Sequence, residues 1–250
     1  MSETIELLKK HRSVRKYKDA AVPEEHLTDI LLAAQAAPTS SNIQAYSVVA
    51  VRDTERKRKF AELAGNQQQI AESSVFLVWL ADLNKIRTAV RLHEDIELQQ
   101  NVELFLLGTI DAALAAQNAT IAAESLGYGT VYIGGIRNNP QAATDLLELP
   151  QLVYPVFGLC VGVPDQEPDI RPRLPLEAVY HKEVYRQEGL EEEIKAYDEI
   201  TRHYYATRKG GGKGGEQETK WSKEMLKRFN KERLRGHMHE FLLKRGFELK

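Results

Sequence analysis

One cysteine in 250 residues excludes an intramolecular disulfide and leaves no material for a thiolate metal cluster. That cysteine, Cys160, sits in the apolar run Tyr154-Pro155-Val156-Phe157-Gly158-Leu159-Cys160-Val161-Gly162, a setting that predicts a buried structural thiol. An excess of either charge is also missing: 34 Lys and Arg against 36 Asp and Glu leave a net charge of −2. Such a balance offers no overall attraction to nucleic acid or to an anionic membrane. Any anion must therefore be held by a local cluster.

Several chemistry-bearing motifs are absent as well. There is no G-x-G-x-x-G fingerprint and no G-x-x-x-x-G-K-[ST] phosphate loop, and Gly210-Gly211-Gly212-Lys213-Gly214-Gly215 reads as a flexible loop. No G-x-S-x-G elbow occurs, and His93-Glu94-Asp95 lacks the second histidine of a zinc protease signature. His237-Met238-His239 places two histidines at i and i+2, on different sides of a helix, so a shared metal is not expected. Hydrolase readings fail for want of a nucleophile in a recognisable setting. The start Met1-Ser2-Glu3-Thr4 has neither the basic nor the apolar region of a signal peptide, which predicts a cytoplasmic protein.

What is there is the apolar content of an ordinary globular chain. A first helix is expected over Glu3 to Lys10, capped by Ser2 or Thr4, with Ile5, Leu7 and Leu8 available for burial. Pro23, Glu24 and Glu25 announce a second helix whose inner stripe is Leu27, Ile30, Leu31 and Ala34. Tyr46 to Val51 and Val75 to Leu80 read as strands, the second apolar enough to be buried on both faces. Further strands are expected at Thr130 to Ile133 and Val153 to Val161, with a helix around Asn139 to Leu147 between them. Past Pro175 the composition shifts to a charged helix over Leu190 to Arg208, a glycine-rich stretch, and a second charged helix over Trp221 to Arg245.

Val102 to Leu126 is apolar around most of its circumference and is stopped by Gly127. Its length matches a membrane span, but Asp111, Gln117, Asn118 and Glu124 recur through it and are costly in hydrocarbon. Two settings remain for such a helix: a large core, or a core shared between two subunits. The second predicts a dimer.

Three clusters are candidate ligand contacts. His11-Arg12-Ser13-Val14-Arg15 packs two guanidiniums and a hydroxyl into five residues, which suits either a phosphate cradle or a solvated cationic loop. Pro38-Thr39-Ser40-Ser41-Asn42-Ile43-Gln44 offers hydroxyls and amides that can address the edge of a heterocycle or simply form a turn. Gly134-Gly135 follows a strand, where backbone can approach a ring or a phosphate closely.

Taken in order with Gly127 to Asn139 and Arg171-Pro172-Arg173-Leu174-Pro175, these motifs resemble the nitroreductase family, in its NADPH-preferring flavin reductase and oxygen-insensitive nitroreductase branch. The resemblance runs over essentially the whole chain. It implies an α+β, three-layer fold with a mostly antiparallel central sheet flanked by helices, a core over residues 1–175 and a helical C-terminal extension over 176–250. It also implies a homodimer with two FMN molecules at the subunit interface.

By motif match, His11, Arg12, Ser13 and Arg15 would hold the phosphate and ribityl end, joined by Arg171 and Arg173. Thr39, Ser40, Ser41, Asn42, Gln44 and Gln67 would line the flavin, and Tyr132, Ile133, Gly134 and Gly135 would pack along the isoalloxazine. The segment Tyr204-Tyr205-Ala206-Thr207-Arg208 matches the branch where basic residues bind the 2′-phosphate of NADPH, making Arg208 and the nearby Lys213 candidates. Arg233 stands where the branch has an arginine reaching toward the substrate pocket, and Asn42 replaces an aromatic found over that pocket in branch members.

The implied activity is hydride transfer from NADPH, with NADH also open, through bound FMN to a flavin, quinone or nitroaromatic acceptor. The chemistry lies at FMN N5, so no catalytic side chain is required and no metal is expected. A non-catalytic FMN- or phospholigand-binding protein is the alternative.

Overall fold

A computed structural model describes residues 2–98, 101–208, 219–229 and 235–248. The chain divides into two compact units, residues 1–166 with 235–250, and residues 167–234. In chain order the helices are α1 (Glu3–Lys9), α2 (Glu24–Gln35), α3 (Thr54–Leu63), α4 (Gln68–Glu72), α5 (Asn84–Arg91), α6 (Val102–Ser125), α7 (Pro140–Leu146), α8 (Leu190–Thr207), α9 (Trp221–Arg228) and α10 (His237–Lys244). The strands are β1 (Tyr46–Val51), β2 (Val75–Asp82), β3 (Gly129–Ile133) and β4 (Val153–Gly162), all in the first unit and paired antiparallel in the order β1-β2-β4-β3.

The layering follows from β2. All eight of its residues are buried, as the unbroken apolar run predicts. Side chains alternate between faces: Val75, Leu77, Trp79 and Ala81 join a core shared with α2, α6 and α10, whereas Phe76, Val78 and Leu80 join one shared with α3, α4 and α7. Each large side chain so buried contributes about 1.5–3 kcal/mol. Gly158 on β4 makes room for Phe76, since a Cβ there would lie 2.1 Å from that ring.

Helix α6 runs as expected and ends before Gly127, whose φ of +83° closes it. It is the one described helix long and apolar enough to cross a membrane. One face, from Leu107 through Ala112, Ala116 and Ala119 to Ala123, packs into the core, and the buried Asp111 lies on it. The opposite face carries Val102, Leu106, Ile110 and Leu114, which are exposed in the single chain.

Two expectations from the sequence fail. Helix α1 buries none of its residues: Ile5 and Leu8 are exposed and Leu7 only half-buried, because no described residue covers that side of a short helix. Ser2 occupies the N-cap position without a side-chain bond, and Thr4 lies inside the helix. Among its described residues the charged run Trp221 to Arg245 holds two separate helices, with α9 in the second unit and α10 in the first. Gly236, a poor helix former, caps α10, and burial of Phe241, Leu242 and Phe247 in the α6 core fixes that segment to the first unit.

In the second unit, α8 holds the start of α9. Asp198, buried, accepts from Ser222 N at 2.8 Å and Ser222 Oγ at 2.6 Å, with Lys220 Nζ at 3.4 Å, and Thr201 Oγ1 accepts from Trp221 N at 3.1 Å. Burial pushes the Asp198 carboxyl up, but the bonds from Ser222 and Lys220 outweigh it and hold the group below the usual range.

Candidate ligand site

The cationic cluster is fastened to the first residues of β3. Val14 N donates to Thr130 O at 2.9 Å, and Ser13 pairs with Thr130 as a short parallel bridge. Val14 is buried against Gly129, where a Cβ would come within 2.7 Å of it. Behind the strip, Tyr17 Oη donates to Val14 O at 2.9 Å. At its start, His11 Nδ1 and Thr130 Oγ1 both donate to Glu124 Oε1 at 2.7 Å. With Val14 turned inward, Arg12 and Ser13 stay half-buried and Arg15 exposed, and Arg15 Nη1 donates to Ser13 O at 3.1 Å. These bonds anchor the segment along the start of β3.

The other end of β3 presents the glycine pair. Ile133 is 1 % exposed, in the α3 and α7 core. Tyr132 turns to the opposite face, where its Oη accepts from Thr120 Oγ1 at 2.9 Å and its ring meets Phe157 edge-on at 5.3 Å. Burial pushes the Tyr132 phenol up to about 12. Beyond them, a Cβ on Gly135 would stand 2.4 Å from Gln67 Nε2 and 2.5 Å from Ala64 O, so Gln67 and Gly135 are in direct contact. Gln67 is fixed by its bond to Ala64 O at 2.9 Å and accepts from Gln69 Nε2 at 2.8 Å. Gly134 is different: a Cβ there would meet only the Arg137 guanidinium, 3.4 Å away. The side-chain position of Gly134 thus faces a cation at van der Waals distance and no backbone.

Arg137 is itself held by Val156 O, and burial, with the charge of Arg235 next, lowers its pKa. Arg235 Nε donates to Asn138 Oδ1 at 3.0 Å, and His237 Nε2 lies 3.0 Å from Arg137 O. These C-terminal contacts to the glycine turn have no signal in the local sequence pattern, since almost a hundred residues separate the partners.

The hydroxyl and amide segment is a strained turn. Ser41, Asn42 and Gln44 have φ of 47°, 57° and 55°, in the left-handed region that L residues avoid at a cost of about 1–2 kcal/mol each. Thr39 is half-buried, and Ser40, Ser41, Asn42 and Gln44 are exposed. Asp111 Oδ1 accepts from Ser40 N at 3.2 Å and Asp111 Oδ2 from Ala45 N at 3.0 Å. In the sequence Asp111 stood out only as an argument against a membrane helix.

In the second unit, Arg173 Nη1 donates to Arg171 O at 2.8 Å, and Tyr197 Oη donates to Pro172 O at 2.8 Å, which ties the proline-stiffened pair to α8. Arg208 caps the end of α8 with its guanidinium 5.1 Å from the Tyr205 ring and 6.0 Å from the Tyr204 ring. Its buried Nε has no hydrogen-bond partner among the described residues. Lys213 and Arg233 lie outside the described residues. Cys160 is fully buried, and burial drives its thiol pKa well above the ordinary value. Among the described residues no group of three His, Cys, Asp or Glu side chains is placed to hold a metal.

Against known proteins, residues 8–163 match the model of the nitroreductase family and residues 171–250 that of the nitroreductase family C-terminal domain. The chain belongs to the nitroreductase family. It is 44% identical over 254 residues to an FMN reductase [NAD(P)H] of Bacillus subtilis, covering 100% of this chain and 99% of the relative. It is 41% identical to an oxygen-insensitive NADPH nitroreductase of Salmonella typhimurium, covering 99% of each. The solved structure of NfrA2 from B. megaterium superposes with a TM-score of 0.94 at 38% identity and full coverage of both chains. The nitroreductase-like α+β fold expected from the motifs, with its antiparallel sheet and helical C-terminal region, is the fold of this chain.

Proposed function

We propose that this chain is an FMN-containing oxidoreductase that carries hydride equivalents from NADPH to a flavin, quinone or nitroaromatic acceptor in a ping-pong cycle. The observation that carries the reading is β3 itself, with a cationic strip fused to its first residues and the bare face of Gly134 past its last. These ends are about 13 Å apart at 3.3 Å per residue, enough for a ribityl chain to run between a phosphate and a ring. The donor set fits FMN: guanidiniums and a hydroxyl for the phosphate, amides and hydroxyls for the ring edge, bare backbone for its face.

FMN, when bound, would supply the two-electron hydride chemistry, at its N5. The chain binds and orients it. Arg12, Ser13 and Arg15 would hold the phosphate, with His11 kept in line by Glu124. By motif match, Arg171 and Arg173 are further phosphate candidates. Gln67 and the Tyr132 to Gly135 segment would line the ring. The Arg137 guanidinium beside Gly134 would supply positive charge to a reduced ring held there.

The proposed homodimer places one FMN at each end of a shared interface. Two features support it. The exposed stripe Val102, Leu106, Ile110 and Leu114 is an apolar helix face that a second copy would cover. The Thr39 to Gln44 turn is tied to Asp111, about 20 Å along α6 from the Glu124 end that holds the cationic strip, at 1.5 Å per residue. A turn so far from the strip in one chain is available to the site of another. Arg208, stacked on two tyrosines, is the proposed partner of the NADPH 2′-phosphate, with NADH the weaker donor. A lone buried thiol suits the reducing cytoplasm, where we place the protein.

The test is spectroscopic. Purified with FMN, the protein should lose its flavin absorbance on anaerobic addition of NADPH and regain it on addition of a quinone, and initial-rate plots for the two substrates should be parallel. Flavin absorbance that persists under NADPH would leave a non-catalytic FMN-binding protein.

A further inference from the structure

The run Ser41, Asn42, Gln44 holds three non-glycine residues at positive φ within four positions. Strain of this kind persists only where the surroundings over-determine it. Inside the turn the bonds are local: Asn42 N to Thr39 O at 3.3 Å, Ile43 N to Ser40 O at 2.9 Å, Tyr46 N to Gln44 O at 2.9 Å, and the Gln44 Nε2 contact to Asn42 O at 3.3 Å. The anchor to the core is Asp111, whose two oxygens take the amides of Ser40 and Ala45 and so bracket the strained residues.

Three observations set this side chain apart from ordinary packing. Asp111 is 0 % exposed, yet no Lys, Arg or His pairs with it among the described residues. A buried carboxylate is costly unless its hydrogen bonds satisfy it, and the amides bracketing the turn are what satisfy this one. One turn earlier on α6, a Cβ on Gly108 would stand 3.2 Å from Ala45 O and 3.1 Å from Ala81 Cβ. The bare glycine lets α6 come near enough for a side chain as short as Asp to reach both amides.

We infer that Asp111 is a positioning residue, a two-pronged clamp that holds the Ser40 to Gln44 turn in the bent form in which its amides and hydroxyls meet FMN. The inference rests on the proposed role of that turn in lining the flavin. Asp111→Asn keeps the volume and turns one acceptor into a donor facing an N–H donor, a mismatch that costs far more than a missing surface bond.

The experiment is amide hydrogen exchange on wild type and Asp111→Asn, each with and without FMN, beside FMN affinity from fluorescence quenching. In Asp111→Asn the amides of residues 40–45 should exchange at least tenfold faster while those of β2 and β4 are unchanged. The FMN Kd should rise about 10- to 100-fold, the range for one mismatched charge-assisted bond. Should Asp111→Asn not fold, Ser40→Pro removes one of the two amides from the other side, with Ser40→Ala as the control that keeps the amide. The proline variant should weaken FMN at least fivefold more than the alanine one.

Unchanged exchange over 40–45, or faster exchange with unchanged FMN affinity, overturns the clamp. Wild type separates that failure from failure of the underlying reading. If FMN slows exchange over 40–45 in wild type, the turn lines the flavin and only the clamp is lost. If it does not, the placement of the turn falls with it.

Discussion

Adding one methyl group at Gly134 or at Gly135 separates a role in the fold from a role in the ligand site. At Gly135 a Cβ would stand 2.4 Å from Gln67 Nε2, 2.5 Å from Ala64 O and 3.2 Å from Ala64 Cβ. The Gln67 amide can swing away, but the carbonyl is backbone, so the turn after β3 must move by about an ångström or α3 must give. Overpacking of this kind costs about 1–3 kcal/mol, and loss of the Gln67 to Ala64 bond adds about 1 kcal/mol. Gly135→Ala should therefore destabilise the FMN-free protein by about 2–4 kcal/mol, which lowers Tm by about 5–15 °C at this chain length.

At Gly134 the added methyl meets only the tip of Arg137 at 3.4 Å, and φ is not in the left-handed region. Its cost to the fold is near zero, and lower chain entropy in the unfolded state offsets even that by about 0.4–1 kcal/mol. Gly134→Ala should leave Tm of the FMN-free protein within about 2 °C of wild type. The same methyl occupies the face against which the ring is proposed to lie, so the FMN Kd should rise by an order of magnitude or more, which corresponds to about 1.4 kcal/mol. Differential scanning fluorimetry without FMN and fluorescence titration with it measure the two quantities separately. Equal losses of Tm in both variants would refute the steric reasoning. An unchanged FMN Kd in Gly134→Ala would refute the placement of the ring.

Arg208→Ala should raise KM for NADPH about tenfold or more, the loss of one charge-assisted phosphate contact, and leave KM for NADH nearly unchanged; steady-state kinetics with an equal change in both would remove Arg208 from phosphate recognition. Asp198 is held below the ordinary carboxyl range, so its contribution is complete above the free value of about 3.9 and is lost as pH falls through the lower folded value. An acid transition in the fluorescence of Trp221, whose ring packs at 5.8 Å on Tyr197, should follow that titration and be absent in Asp198→Asn. Cys160, buried with its thiol pKa raised, should resist an aromatic disulfide reagent at pH 8 until guanidinium unfolds the chain, and a thiol that reacts in the native state would contradict its place in the core.

The elements legible in the sequence are those whose burial is set by local pattern. β2 is an unbroken apolar run, and both of its faces are buried. The Gly127 stop and the helix after Asn139 follow from φ freedom and from a side chain that caps its own helix, here Asn139 Oδ1 accepting from Ala142 N at 3.1 Å. The split of the Trp221 to Arg245 run was not legible, because continuous charge and periodicity suit one helix. What breaks it is Phe241, Leu242 and Phe247 entering a core formed far earlier in the chain.

The candidate site divides along the same line. Order and type of residue singled out His11 to Arg15, the Pro38 to Gln44 segment and Gly134-Gly135, since guanidiniums, small hydroxyls and bare backbone are chemical properties carried by each residue. Their partners came only from the fold. Glu124 fixes His11 across 113 residues, Asp111 brackets the turn from about 70 residues away, and Arg235 and His237 reach the glycine turn from the C-terminal end. Such contacts depend on which surfaces a helix and a sheet bring together, a property of packing between distant segments that no local window of sequence contains. The sequence determined which guanidiniums, hydroxyls, amides and side-chain-free positions the chain carries. The tertiary structure decided which of them are anchored, which are strained, and that a methyl fits at Gly134, against the Arg137 guanidinium, where it does not at Gly135.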